Sequence, residues 1–167
     1  AFQENPTQLA TTMRNLGWDP EELFEKGFNL FYQSPVEMQL DIIAAELIEK
    51  VQAGNIRRVV IDALGDLERS SIDRQRFSDF IYSLTQWFAV KKVTCLMLYE
   101  LTHLFEIHSI SDEEISNMSD NIVLLRFSPG KEMARTVRVI KTRSSAHDSH
   151  EHKLSISSEG LVIERAY

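Results

Sequence analysis

The sequence predicts an α/β fold in which a mostly parallel sheet flanked by helices is followed by a C-terminal antiparallel β meander. Continuous apolar runs at 56–62 and 93–100 stand between segments of helical periodicity, which is typical of buried parallel strands. Residues 134–143 and 153–157 instead alternate polar and apolar side chains, which is typical of half-exposed antiparallel strands. A chain of 167 residues can bury one core, so we expect a single domain.

The helices are predicted from apolar spacing and from residues that favour helix ends. Asn5 before Pro6 is a favourable N-terminal pair, because proline fits the first helical position and asparagine caps it. The other helices are predicted to begin at Asp19–Pro20 and Ser34–Pro35, to end before Gly27 and Gly54, and to cover 70–90 and 112–118. In the helix over 70–90 the inward face is predicted to be Ile72, Phe77, Phe80, Ile81, Leu84 and Phe88.

The strands follow the same order along the chain. The predicted strands are 28–32, 56–62, 93–100, 120–127, 134–143, 153–157 and 160–164. The character of the sequence changes after the turn "SPGK", so we place the strands before that turn in the parallel core and those after it in the meander.

Composition argues against several classes of function. With 18 Lys and Arg residues against 25 Asp and Glu residues the formal net charge is −7, which disfavours nucleic acid as the main partner. No apolar run is long enough to span a bilayer and no signal peptide is evident, so we expect a cytoplasmic protein without a membrane partner. Cys95, the single cysteine, lies in an apolar run and is expected to be a buried, inert thiol.

Two predicted parallel strands end in carboxylates, Asp62 and Glu100. Ligands of open α/β sheets bind at the carboxyl ends of the strands, so these acids are candidates for a metal or phosphate site. The strand "IRRVVIDAL" in particular has the form of a strand that bears Mg²⁺ in a P-loop ATPase, with Asp62 as the metal residue. An acid in this position can equally cap a helix or lie in a surface turn.

A second candidate is the segment "KTRSSAHD", which carries Lys141, Arg143, Ser145 and His147. Lys141 and Arg143 lie two residues apart, so in a strand they point to the same face and could clamp a phosphate. The alternative is an edge strand whose charges protect it from pairing with other chains.

Two further features are weaker. The run "HDSHEH" contains His147, His150 and His152, which are frequent zinc ligands, but it has no partner cysteines and lies in a polar stretch. Glu4 stands just before a predicted helix, where the helix dipole alone would favour a carboxylate.

Taken together, these segments resemble the KaiC family of RecA-like ATPases nearly from end to end. The matching segments occur in the family's order and at its intervals, which is more specific than any one of them. They are "FQENPTQLATTMRNLGWD", "RRVVIDALGDLE", "SISDEEISNMSDNIVLLRF", "RVIKTRSSAHD" and "SISSEGLVI".

The resemblance implies a hexameric ATPase with ATP and Mg²⁺ bound between subunits. By position, Asp62 would orient Mg²⁺, and Glu4 matches the second of two catalytic glutamates, whose first place is taken by Gln3. Lys141 and Arg143 match the pair that reaches the neighbouring subunit's γ-phosphate. The resemblance also suggests that Glu100, Ser145 and His147 line the nucleotide, and Ser144 replaces the usual glycine.

The resemblance also implies what is missing from these 167 residues. They contain no GxxxxGK[ST] motif, and the family's phosphate loop precedes the segment that begins this chain. The chain is therefore expected to be an N-terminally truncated domain that binds ATP weakly and does not hydrolyse it alone. In the circadian members an adjacent Ser/Thr pair is autophosphorylated, and here Ser116 is followed by Asn117. Clock-like or signalling partners follow from the same likeness, and the alternative function is a non-catalytic assembly module.

Overall fold

The computed structural model describes residues 1–34, 39–101, 113–128, 133–157 and 160–164. The chain divides into two compact units, which are described separately. The first comprises residues 1–11 and 20–100, and the second comprises residues 12–19 and those from 101 onward. Among the described residues, none of the helices combines the length and the apolar character needed to cross a membrane.

The first unit is built from helices around a two-stranded parallel sheet. Its strands are β1 (Arg58–Ile61) and β2 (Thr94–Met97), paired in parallel with Val59 opposite Cys95. The helices are α1 (Pro6–Asn15, which ends in the second unit), α2 (Pro20–Glu25), α3 (Leu40–Ala53), α4 (Leu64–Ser70) and α5 (Arg74–Lys91). The predicted parallel α/β character of this region is therefore confirmed.

The core of the first unit lies on one face of this sheet. Burial of large apolar side chains is the main stabilising term, at about 1.5–3 kcal/mol for each Leu, Ile or Phe. The residues buried there include Ile43, Val59, Ile61, Leu64, Leu67, Phe77, Ile81, Leu84 and Phe88. Cys95 is half-buried on β2, and burial raises the pKa of its thiol to about 11.

The opposite face of the parallel sheet is open, which corrects the prediction that both faces are covered. Val60 and Leu96 are opposite one another in the strand register, and they are 57% and 56% exposed. The continuous apolar run in the sequence led to the expectation of two covered faces. In the described residues it instead produces one buried and one exposed apolar face.

The predicted helix over 70–90 is confirmed as α5, but it begins later, at Arg74, because the Asp73 side chain accepts the Arg76 N–H at 2.7 Å and caps it. Ile72 therefore falls in the link between α4 and α5 and is 92% exposed rather than inward-facing. Residues 28–32 are not a strand, although Phe31 and Gln33 both hydrogen-bond to Ala1. The predicted start of α3 at 34–35 includes Pro35, which lies outside the described residues; the described helix begins at Leu40.

The second unit is a four-stranded antiparallel meander preceded by a short helix. Helix α6 (Glu113–Met118) leads into β3 (Asn121–Ser128), and the strands continue with β4 (Ala134–Thr142), β5 (His152–Ser157) and β6 (Gly160–Glu164). They are hydrogen-bonded in the order β3-β4-β5-β6. The meander is confirmed, but β3 belongs to it, and the assignment of this strand to the parallel core was wrong.

The meander has one polar and one apolar face. The polar face includes Arg126 and Thr136, which are directly opposite in the register. We call the other side the meander apolar face, and its most exposed residues, between 37% and 68%, are Val123, Leu125, Phe127, Ile156, Leu161 and Ile163.

Candidate functional site

Asp62 lies where a metal-binding carboxylate of this fold class is expected. It directly follows β1, at the carboxyl end of the parallel sheet, and its side chain is exposed. The main chain around it is well held: the Phe2 N–H donates to the Asp62 carbonyl at 2.9 Å, and the Leu98 N–H donates to the Ile61 carbonyl at 3.0 Å. The exposed carboxylate is thus carried on a fixed backbone, close enough to the N-terminal ammonium of Ala1 to interact with its charge.

Glu4 is brought near this strand end by the first residues of the chain. The hydrogen bond from Phe2 to Asp62 places residue 2 beside the end of β1, and Glu4 is exposed two residues later. Helix α1 then begins with a reciprocal cap, in which the Gln8 N–H donates to Asn5 Oδ1 at 3.0 Å and the Asn5 N–H donates to Gln8 Oε1 at 3.1 Å. The predicted Asn5 cap is confirmed, and it fixes the direction in which the chain leaves Glu4.

Glu100 follows the neighbouring strand at the same edge of the sheet. It lies three residues after Met97, the last residue of β2, and is exposed. The Leu64 N–H donates to the Leu98 carbonyl at 2.8 Å, so the chain after β2 is attached to the start of α4. Both predicted acids therefore follow carboxyl ends of parallel strands.

Sequence reasoning missed two further acids on α4. Asp66 is only 5% exposed and pairs with Arg69 through one carboxylate oxygen, while its other oxygen, Oδ2, has no hydrogen-bond partner among the described residues. Glu68 accepts a hydrogen bond from the Tyr99 hydroxyl at 2.9 Å. The only sequence signal was the spacing of Asp62 and Asp66, four residues apart at the start of a helix.

Lys141 and Arg143 come together at one point in the second unit. Lys141 lies near the end of β4, where the register with β3 shifts between Ile122 and Val123 and leaves an extra residue in β4. The Lys141 ammonium donates to the Ser116 carbonyl, and the Arg143 guanidinium donates to the Asn117 carbonyl at 2.6 Å. Both side chains thus reach the C-terminal end of α6, although Arg143 lies one residue beyond the end of β4.

The loop after Arg143 contains the remaining predicted residues, and Ser145 and His147 are both exposed there. Ser144 adopts a left-handed backbone conformation with φ of 67°, which glycine adopts at lower cost. The position at which this sequence departs from the family pattern is therefore one where the backbone favours glycine.

In the histidine-rich run, two histidines lie around the carboxylate of Asp148. Asp148 Oδ1 accepts the His150 main-chain N–H at 2.9 Å and lies beside the His150 ring, and His152 Nε2 lies 3.4 Å from Asp148 Oδ2. Hydrogen bonds from His150 are the main cause that lowers the Asp148 pKa to about 2. In the part of the chain that the structure describes, no three His, Cys, Asp or Glu residues are grouped so as to hold a metal ion.

An ion pair that sequence reasoning missed stabilises the polar face of the meander. Arg126 on β3 makes two hydrogen bonds to the Glu151 carboxylate, and each side chain is less than 30% exposed. The pKa of Glu151 is held below its ordinary value. The main cause is the hydrogen bond with Arg126, and the next is one with Thr136. The hydrogen bond with Glu151 raises the Arg126 pKa.

The comparison with protein families decides the classification of this chain. A family model described as "ATPase: KaiC" matches residues 1–166. The chain belongs to the KaiC family of ATPases. The resemblance identified from the sequence segments is thereby confirmed.

KaiC-family relatives match the full length of the chain. It is 27% identical over 169 aligned residues to the circadian clock oscillator protein KaiC of Acaryochloris marina and covers 32% of that protein. It is 29% identical to the circadian clock protein KaiC3 of Synechocystis, of which it covers 33%. The chain thus spans about a third of the length of these curated relatives.

A solved structure supports the fold. The crystal structure of a KaiC-like protein from Pyrococcus horikoshii has a TM-score of 0.80 to this chain at 18% identity. The alignment covers 99% of this chain and 73% of the other. The α/β class predicted from the sequence, a RecA-like fold with parallel and antiparallel sheets, is confirmed.

The KaiC-family residues of this chain fit a magnesium nucleotide in the chemistry of their donors. Mg²⁺ prefers oxygen ligands, keeps several waters and is often bound through one or two carboxylates and substrate phosphates. The exposed Asp62 carboxylate on a fixed strand end suits that mode. Lys141 and Arg143, which donate to adjacent carbonyls, suit a phosphate, which binds a guanidinium fork and an ammonium together.

Proposed function

We propose that this chain is part of a KaiC-family ATPase that binds Mg·ATP between subunits and hydrolyses it. The observation that carries the proposal is that Lys141 and Arg143 reach adjacent carbonyls at the end of α6, in a chain that the family model matches from residue 1 to 166. Phosphoryl transfer depends on positioning and charge neutralisation more than on covalent chemistry, so a paired cation and an oriented carboxylate are the parts required.

In the proposed site, residues of the first unit act on the metal and the attacking water. Bound Mg²⁺ would neutralise phosphate charge, and Asp62 would hold its coordinated water through an exposed carboxylate. Glu4 would orient the attacking water by accepting its proton in a hydrogen bond, and the uncharged Gln3 beside it would contribute less. Glu100 at the next strand end would sense the nucleotide.

Residues of the second unit would act on the phosphate of the neighbouring subunit. Arg143 supplies a planar fork and Lys141 a point charge, and together they would stabilise the charge that develops on the γ-phosphate. Ser145 and His147 follow in the same exposed loop and would line the nucleotide. A cation supplied by a neighbouring subunit can be worth about 10³-fold or more in turnover.

The hydrolysis proposal is tested by removing the metal-orienting carboxylate in the polypeptide that naturally carries these residues. Asp62→Asn keeps the shape of the side chain and removes its charge, so we expect turnover to fall by about 10²-fold or more. The control is Asp79→Asn, at an exposed acid on α5 whose carboxylate contacts Gln75. Full turnover in Asp62→Asn would contradict the assignment.

The 167-residue chain by itself is expected to be a poor ATPase. Its sequence contains no GxxxxGK[ST], so no backbone cradle of that kind is available to the β- and γ-phosphates. We expect isothermal titration of this chain with Mg·ATP to give weak binding without hydrolysis. Micromolar affinity would show that other residues grip the triphosphate.

The second candidate function is a non-catalytic assembly module, and the meander apolar face is the observation that favours it. Six large, exposed apolar side chains, among them Leu125 and Leu161 at 61% and 68% exposure, lie on this one face, and apolar residues grouped in this way mark association surfaces. Such a surface suits self-association, up to the hexamer that an ATPase ring requires, and contacts with clock-like or signalling proteins. Wild-type assembly by a protein with no ATPase activity would favour this candidate.

A further inference from the structure

The two cations at the end of β4 are bound to the chain itself. We call residues 116–120 the α6 cap segment, because they include the last turn of α6 and the residues that follow it. Lys141 donates to the Ser116 carbonyl, and Arg143 Nη2 donates to the Asn117 carbonyl at 2.6 Å. The acceptors belong to adjacent residues at the carbonyl end of one helix.

Arg143 makes further contacts with the same segment. Its main-chain N–H donates to the Asp120 carbonyl at 2.8 Å, and its Nη1 atom lies 3.5 Å from Asp120 Oδ1. The last carbonyls of a helix carry partial negative charge and have no partners within the helix, so cations stabilise this end. The α6 cap segment therefore supplies hydrogen-bond acceptors to both side chains.

A phosphate would require the same atoms. Bidentate binding of a phosphate uses the outer N–H groups of the guanidinium, and in this structure Nη1 and Nη2 of Arg143 are directed to Asp120 and Asn117. Arg143 is about half exposed, at 48%, so its guanidinium can turn toward solvent without unfolding the strand. The α6 cap segment and a phosphate thus compete for one set of donors.

We propose that Lys141 and Arg143 exchange between the α6 cap segment and a phosphate group, so that phosphate binding loosens the end of α6. The inference rests on the proposed function, since it assumes that this pair binds phosphate. Binding and release are then linked in both directions: a change that weakens the hold of the cap segment strengthens phosphate binding. Ser116, the serine matched to the family's phosphorylated position, lies in the segment that is released.

The proposed switch of the two cations is tested by adding inorganic tripolyphosphate to the 167-residue chain and measuring amide hydrogen exchange. We expect peptides that cover 113–120 to exchange about 3- to 10-fold faster when tripolyphosphate is bound, since each lost cation–carbonyl contact weakens the helix end. Peptides from α5 in the first unit serve as the internal reference. Unchanged exchange at 113–120 with bound tripolyphosphate would overturn the proposal.

A variant tests the competition of the α6 cap segment without altering the residues assigned to phosphate binding. Asp120→Asn keeps the main-chain acceptor and removes the charge that attracts Arg143, so we expect tripolyphosphate to bind about 2- to 3-fold tighter. The control Glu164→Gln removes an exposed charge from β6, 3.4 Å from Lys153, and is expected to change affinity much less. Equal affinities of Asp120→Asn and the control for tripolyphosphate would overturn the proposed switch of the two cations.

The two proposals fail in different ways. If tripolyphosphate binds as well to Lys141→Ala and Arg143→Ala as to the unmodified chain, the pair is not the phosphate site, and the proposed function fails with the exchange. If these variants lose binding but amide hydrogen exchange at 113–120 does not respond in the unmodified chain, the phosphate site stands. Only the proposed switch of the two cations away from the α6 cap segment is then wrong. Circular dichroism of each variant confirms that the chain remains folded.

Discussion

Arg143 donates to the main-chain carbonyl of Asn117 at 2.6 Å and joins the end of β4 to the end of α6. The Lys141 ammonium donates to the carbonyl of the preceding residue, Ser116, so two cations reach the end of the same helix. The residues assigned to phosphate contact are therefore held in a defined position before any ligand arrives. A phosphate that binds this pair must therefore displace both carbonyl contacts.

The backbone at Ser144 gives a prediction about stability. Because its φ is 67°, a residue with a side chain is strained there by about 1–2 kcal/mol. Ser144→Gly removes this strain, but glycine loses more conformational entropy on folding, which offsets part of the gain. We expect Ser144→Gly to change the free energy of unfolding by between 0 and about +1 kcal/mol. The neighbouring Ser145→Gly should lower it by about 0.5–1 kcal/mol, as measured by urea denaturation. Equal losses in both variants would contradict this account.

The Arg126–Glu151 pair predicts a stability contribution with a defined pH dependence. Glu151→Gln should lower the free energy of unfolding by about 1–3 kcal/mol at pH 7, because a charge-assisted double hydrogen bond is lost. The folded pKa of Glu151 is below the ordinary value of 4.5, so this stabilisation is complete above about pH 4.5 and is lost as the pH falls through the folded value.

The difference between the unmodified chain and Glu151→Gln should therefore shrink below pH 4.5. Urea denaturation at a series of pH values measures it. Asp148, whose pKa is about 2, contributes equally to both proteins. The matched variant Glu164→Gln breaks an exposed pair and should cost less than about 0.5 kcal/mol. A pH-independent loss in Glu151→Gln would argue against the ion pair as its cause.

The thiol of Cys95 is predicted to react slowly in the folded chain. Burial raises its pKa from 9.0 to about 11, so at pH 8 the thiolate fraction is lowered by about 100-fold. Labelling with a disulfide reagent should accelerate by at least that factor in denaturant. Rapid labelling of the native chain would show that β2 is open to solvent.

Self-association is predicted from the meander apolar face. We expect sedimentation of this 19.3 kDa chain to show a dimer or larger assembly, and Leu125→Lys to weaken it, because leucine there is 61% exposed in the middle of β3. Ile72→Lys is the control, since Ile72 is 92% exposed but lies in a link outside the face. A monomer at all concentrations contradicts the prediction, and so does an equal effect of both substitutions.

Sequence patterns predicted the local elements better than the pairing between them. The Asn5 cap and strands β1, β4, β5 and β6 follow from short-range rules, and the structure has them. The pairing of β3 with β4 and the exposed side of Val60 depend on which segments meet across the chain, and periodicity does not encode that.

The candidate site shows the same limit. The positions of Asp62 and Lys141 could be predicted, because strand ends and alternation are visible in the sequence. The acceptors of Lys141 and Arg143 could not, because they are main-chain carbonyls, which every residue has. Asp66 was missed because its burial depends on packing around α4 rather than on its own residue type.

The central claim, that Asp62 and Arg143 serve one site from different subunits, is tested most directly by mixing two inactive variants. Asp62→Asn and Arg143→Ala are prepared in the polypeptide that naturally carries these residues, and each alone should lose ATP hydrolysis. In an equal mixture that exchanges subunits, about a quarter of the interfaces join an intact Asp62 to an intact Arg143. We expect about a quarter of wild-type turnover to return. A mixture that assembles but remains as inactive as its components would contradict the account.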